Sequence, residues 1–103
     1  MTSHRFRLFV MGHSVRSQRA VRTLQQICES LLANHCELEI IDVLEQPELA
    51  EELKIIATPT LIKELPLPER RFLGDLSDRE RLLLALDIPQ PPLELGQEEE
   101  KLS

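Results

Sequence analysis

A change of hydrophobic period between Arg5 and Val43 most tightly limits what this chain can fold into. Arg5-Phe6-Arg7-Leu8-Phe9-Val10 alternates and then turns wholly apolar, as a strand entering the interior of a sheet does. Gly12-His13-Ser14 interrupts it. From Ser17 to Leu32, the apolar residues Val21, Leu24, Cys28 and Leu31 recur at steps of three and four, the spacing of an amphipathic helix, with Ser17 placed to cap its start. Leu38-Glu39-Ile40-Ile41-Asp42-Val43 is a second strand rich in β-branched residues. Two strands joined through one helix make a right-handed crossover, so this pair is parallel.

The second half changes character. Pro47 suits the first turn of a short helix, and Glu48, Glu51 and Glu52 favour its positive end, with Leu49, Leu53 and Ile56 as its inward face. Thr60-Leu61-Ile62 and Arg71-Phe72-Leu73 read as strands, and the short link containing Pro66 and Pro68 makes them an antiparallel hairpin. Ser77-Asp78-Arg79-Glu80 matches the S-x-x-E capping box at the start of a last helix through Leu82, Leu83 and Leu86, which stops before Pro89. The order is βαβαββα, an α/β arrangement of the thioredoxin-like kind, in one domain over residues 1–88. Residues 89–103 form an acidic tail with Pro91, Pro92 and Gly96, expected to be disordered.

Composition excludes several functions. Three Phe with no Trp or Tyr make the core aliphatic and leave no stacking platform for single-stranded nucleic acid. A net charge of −6 opposes binding to a phosphate backbone. Arg5, Arg7, Arg16, Arg19 and Arg22 make the beginning basic, against an acidic end. That polarity suits docking to a protein partner; a solvated surface without a role is the alternative. No apolar run approaches the ~20 residues that span a bilayer. No apolar stretch of a secretory signal follows Arg5, so a cytoplasmic protein is expected.

A redox enzyme of this fold needs C-x-x-C where the first helix begins, because the helix end lowers the thiol pKa and the second cysteine resolves the mixed disulfide. Ser14-Val15-Arg16-Ser17 stands there instead. Cys28 reads as a buried small hydrophobe on the helix. Cys36 lies near the start of the second strand, where burial is not settled. The two cysteines have neither redox nor zinc-site spacing, and His4, His13 and His35 are scattered, so no metal, cofactor or catalytic residue is assigned. Thr58-Pro59-Thr60 is more specific: thioredoxin-like domains place a cis-proline just before this strand, a trans turn proline being the alternative.

Ile41-Asp42-Val43-Leu44, Ala57-Thr58-Pro59-Thr60-Leu61, Leu65-Pro66-Leu67-Pro68, Arg70-Arg71 and Gly74-Asp75-Leu76-Ser77-Asp78-Arg79-Glu80 together resemble the KaiB family of bacterial clock proteins over roughly residues 6–88. The resemblance implies a non-enzymatic protein that binds the ATPase ring of KaiC and alters its phosphorylation cycle. It implies KaiA or a clock histidine kinase as further partners, and self-association as a dimer or tetramer. It also implies two folds, a tetrameric ground state and a thioredoxin-like monomer, that differ in the second half. On this resemblance Glu48, Glu51, Glu52, Lys54, Arg70 and Arg71 lie on or near the KaiC-facing surface and Arg19 faces the KaiA side, ordinary solvated charge being the alternative for each. Pro59, Pro66, Pro68, Ala85 and Asp87 belong to the switching segment. X-Pro bonds isomerise over ~18–20 kcal/mol, slow enough to gate refolding, and Leu61 to Leu73 has no clear period of its own.

Three departures from the family pattern stand out. Ser14-Val15-Arg16-Ser17 replaces a Thr-Pro-Asn-Ser-like turn. Glu37 and Glu39 put like charges beside the KaiA-facing surface, which disfavours KaiA capture. Ala85 stands where the family tends to have Gly, favouring the last helix by ~1 kcal/mol and with it the thioredoxin-like form. A stress-adaptation or signalling module of the same fold, with no KaiC partner, is the second expectation.

Overall fold

In the computed structural model the described residues are 4–30, 32 and 35–88. The elements are β1 (His4–Val10), α1 (Val15–Ser30), β2 (Cys36–Asp42), α2 (Pro47–Glu52), β3 (Thr60–Leu65), β4 (Arg70–Leu73) and α3 (Arg79–Ala85). This is the expected order. The sheet runs β2-β1-β3-β4, with β1 parallel to β2 and antiparallel to β3, and β3 antiparallel to β4. The tail expected over 89–103 lies outside the described residues, as does Leu31.

Alternation along β1 divides the core in two. Phe6, Leu8 and Val10 face α1 and α3, where they meet Ala20, Leu24, Ile27, Leu82, Leu83 and Leu86. Phe9 faces the other way, with Ile41 and Ile62, and this smaller cluster carries Leu49, Leu53 and Ile55 from around α2. The result is three layers, two helices over one sheet face and a single short helix over the other.

Five local expectations are corrected. α1 begins at Val15, and its cap is Ser14, whose hydroxyl accepts the Ser17 N–H at 3.1 Å. Ser17 is inside the helix and 1% exposed, its hydroxyl accepting the Met11 N–H at 3.2 Å. The buried stripe of α1 is Ser17, Ala20, Leu24 and Ile27, with Thr23; Val21 and Cys28 sit half-buried on its flank. Small residues fill the tight seam, and a reading weighted to large side chains rotates the helix away from them.

α3 is capped by Asp78, which accepts the Arg81 N–H at 3.2 Å, while the N–H and hydroxyl of Ser77 both turn to Asp75. An ionised carboxylate is the stronger acceptor at a helix N-terminus, so Asp78 displaces the expected Ser77 cap. Asp78→Ala is expected to cost about 1 kcal/mol in urea unfolding, and Ser77→Ala less than that.

Beyond α2, Lys54 takes a left-handed φ of 57°, which turns Ile55 inward and leaves the expected core residue Ile56 89% exposed. Finally, Cys28 and Cys36 are not independent: a disulfide joins them across a Cα separation of 5.5 Å.

Candidate functional site

The position that holds the cysteine pair in a redox thioredoxin is here a polar edge. The start of α1 meets the Pro59 loop and the β4–α3 turn around a cleft of about 330 Å³ lined by Arg16, Arg19, Pro59, Gly74, Asp75 and Ser77 among others. Arg16 Nη2 donates to the Gly74 carbonyl at 3.4 Å. The Ser77 hydroxyl and then its N–H hold the Asp75 carboxyl below the usual carboxylate range, with Arg16 and Arg19 acting in the same direction. The edge sets two arginines against one carboxylate around a buried proline, and Ser14–Ser17 offers no thiol to it.

α2 and β4 form a second surface. Glu48, Glu51, Glu52 and Lys54 are exposed, as are Arg70 and Arg71. Strand alternation separates the two arginines. Arg71 pairs with Ile62 in the sheet register and shares the α2 face, whereas Arg70 pairs with Lys63 on the α1 and α3 face. Arg71 reaches the C-terminal end of α2, where Nη1 donates to the Lys54 carbonyl at 3.3 Å and Nη2 donates to the Leu53 carbonyl. The last carbonyls of a helix lack intrahelical donors and carry its partial negative charge, so a guanidinium completes them. The structure thus brings Arg71 and Lys54 together and puts Arg70 on the opposite face. Arg19 stands apart from both, beside Pro59.

The β2 edge carries a lattice of charge. Arg5 Nε lies 2.9 Å from Glu37, and Arg7 Nε lies 3.3 Å from Glu39 and 3.2 Å from Glu64. Glu37 and Glu39 are each answered by an arginine of β1, and two of the five early arginines are spent in doing so. Exposed pairs of this kind contribute ~0–1 kcal/mol each.

The expected switching positions are also placed. Pro59 is buried and follows a cis bond, as expected; Pro66 and Pro68 are exposed and follow cis bonds in the β3–β4 loop. Ala85 closes α3 and is exposed, and Asp87 takes a left-handed φ of 57° just beyond it. Two contributors escaped the sequence reading of the site. Arg16 was visible as part of the basic beginning and as a departure in the first turn, not as a site residue. Asp42 was visible as a strand residue and within the family run, yet its Oδ1 accepts the Gly12 N–H at 3.1 Å and the Leu44 N–H at 2.9 Å. Gly12 needs its left-handed φ of 56° for that turn. No residue pattern announces such a double acceptor before the two turns are brought together.

Among the described residues no group of three or more His, Cys, Asp or Glu is placed to hold a metal, and no helix is long and apolar enough to cross a membrane.

A thioredoxin-like sheet that keeps the proline loop and lacks the cysteine pair defines a thioredoxin-fold domain without its redox centre. Solved structures agree on the fold. Mitochondrial thioredoxin 3 of Saccharomyces cerevisiae superposes with a TM-score of 0.67 at 15% identity, over 84% of this chain and 79% of that one. The N-terminal domain of SasA from Synechococcus elongatus gives a TM-score of 0.66 at 27% identity, over 89% and 90% of the two chains. The KaiB domain family model matches residues 7–88. The circadian clock protein KaiB3 of a Synechocystis species is 55% identical over 82 residues, 80% of each chain. The circadian clock oscillator protein KaiB of Synechococcus elongatus is 54% identical over 82 residues, again 80% of each. This chain belongs to the KaiB family. Its relatives carry the names of clock proteins, not of enzymes.

Proposed function

We propose that this chain is a non-enzymatic regulator that docks on the ATPase ring of a KaiC-type protein and modulates its phosphorylation cycle. The observation that carries this reading is the family match through residue 88, which includes the whole of α2, β3, β4 and α3. The docking surface is α2 with β4: Glu48, Glu51, Glu52 and Lys54 on one element and Arg71 tied to it from the other, with Arg70 at the rim. Arg19, on the Pro59 side, serves a second partner, KaiA or a clock histidine kinase.

The test is native mass spectrometry of this protein with a KaiC-type hexamer and ATP. A ring carrying bound copies is expected; no ring-bound species after long incubation overturns the reading. In that event the chain is a signalling or stress module of the same fold. The SasA likeness supports this second reading, since SasA's N-terminal domain shares the fold at 27% identity.

Fold switching belongs to the same proposal. Ala85 ends α3, and glycine there costs the helix ~1 kcal/mol. Ala85→Gly is therefore expected to raise the tetrameric fraction at the expense of the thioredoxin-like monomer. Unchanged light scattering and a single unchanged set of NMR peaks would count against it.

A further inference from the structure

We propose that Cys28 and Cys36 form a reversible thiol–disulfide site, oxidised by a small disulfide of the glutathione class, that locks the seam between α1 and the edge strand β2. The inference is independent of the ring-docking reading. It concerns a part of the molecule remote in sequence from Ser14–Ser17, where a thioredoxin keeps its pair.

The placement carries the argument. Val21, Gln25 and Cys28 follow one another on α1 at steps of four and three, so they share a stripe beside the buried one. Cys36, Leu38, Ile40 and Asp42 share one face of β2 by alternation. Val21, Gln25, Ile40 and Asp42 line a groove of about 590 Å³ between the two elements. Val21, Cys28, Cys36 and Leu38 pack against the main core. The disulfide is thus a covalent rung of the α1–β2 seam, joining the last turns of α1 to the first residue of β2. Among the described residues β2 has β1 as its one neighbour in the sheet. A rung that clamps its first residue therefore restrains the whole strand, and with it the width of the groove.

The chemistry is two exchanges. One protein thiolate attacks a sulfur of glutathione disulfide, breaking that S–S bond and expelling one glutathione thiolate. The second cysteine, deprotonated, attacks the protein sulfur of the mixed disulfide and expels the second glutathione. Two protein thiols lose two electrons and two protons, and glutathione disulfide gains them as two molecules of glutathione. Excess glutathione runs both steps backwards.

The test equilibrates the full chain in glutathione buffers of graded ratio, quenches in acid, alkylates free thiols and reads intact mass. The expected species are the dithiol and the internal disulfide, converting in one two-electron step, while Cys28→Ser and Cys36→Ser each stop at a glutathione adduct. Amide exchange over 36–42 is expected to be about tenfold slower in the oxidised chain, with no redox difference in Cys28→Ser. Alkylation of both thiols at every ratio overturns the proposal, as does a wild-type product that stays a glutathione adduct or a crosslinked dimer. Equal β2 exchange in the two states overturns the lock.

Discussion

Phe9→Ala lowers the stability of the domain by about 3–5 kcal/mol, the usual range for emptying a buried aromatic site, and it frees α2 before it frees α1 or α3. Phe9 is fully buried, and its cluster contains only two other buried residues, Ile41 and Ile62. The apolar residues that bring α2 onto the sheet, Leu49, Leu53 and Ile55, pack on those three. The opposite cluster is several times larger and does not include Phe9. A small domain has a total stability of ~5–15 kcal/mol, so the variant remains partly folded and the order of loss is measurable. Urea unfolding gives the magnitude, and amide exchange gives the order. Simultaneous loss of protection in α2 and α3 would show that the two clusters are one cooperative unit.

Arg71→Ala and Arg70→Ala, neighbours in sequence, are expected to behave as different kinds of residue. Arg71 donates to both the Leu53 and Lys54 carbonyls from a different element, so its loss strips the end of α2 of its only side-chain donors among the described residues. A hydrogen bond from a charged donor contributes ~1.5–3 kcal/mol, and solvent exposure lowers that, so a loss of about 1–2 kcal/mol is expected. Arg70 is exposed on the other face, and its removal is expected to stay within ~0.5 kcal/mol. Arg71→Lys recovers part of the loss, since a lysine supplies charge to the helix end without the planar fork that spans two carbonyls. Urea midpoints for the three variants check the order. If Arg70→Ala costs as much as Arg71→Ala, the α2 tether is not the reason for the arginine pair.

The element order and the two-faced sheet were legible because they rest on period: alternation in β1 and β2, a helical stripe between them, and prolines that punctuate the second half. Pro59 was legible because its place before β3 has a fixed role in the fold. What stayed hidden depends on contacts between distant segments. Ser14 outcompetes Ser17 as a cap because Ser17 is drawn into the core to meet Met11. Ile56 looked like core because it keeps the helical spacing, but the left-handed Lys54 ends the helix before that spacing applies. The charge lattice was present in the sequence as Arg5-x-Arg7 and Glu37-x-Glu39, two alternations that become partners only once the parallel register sets Arg5 opposite Glu37. The cysteines were judged by their spacing along the chain, whereas the crossover returns β2 beside the end of α1 and makes them neighbours.

The surface assignment has a direct test in hydrogen exchange of this protein alone and in the presence of a KaiC-type ring with ATP, read residue by residue. Protection concentrated in α2, its Lys54 end and β4, with β2 little changed, is the predicted footprint. Protection confined to α1 and β2, or none at all beside a demonstrably intact ring, would contradict the proposal that α2 and β4 form the docking surface.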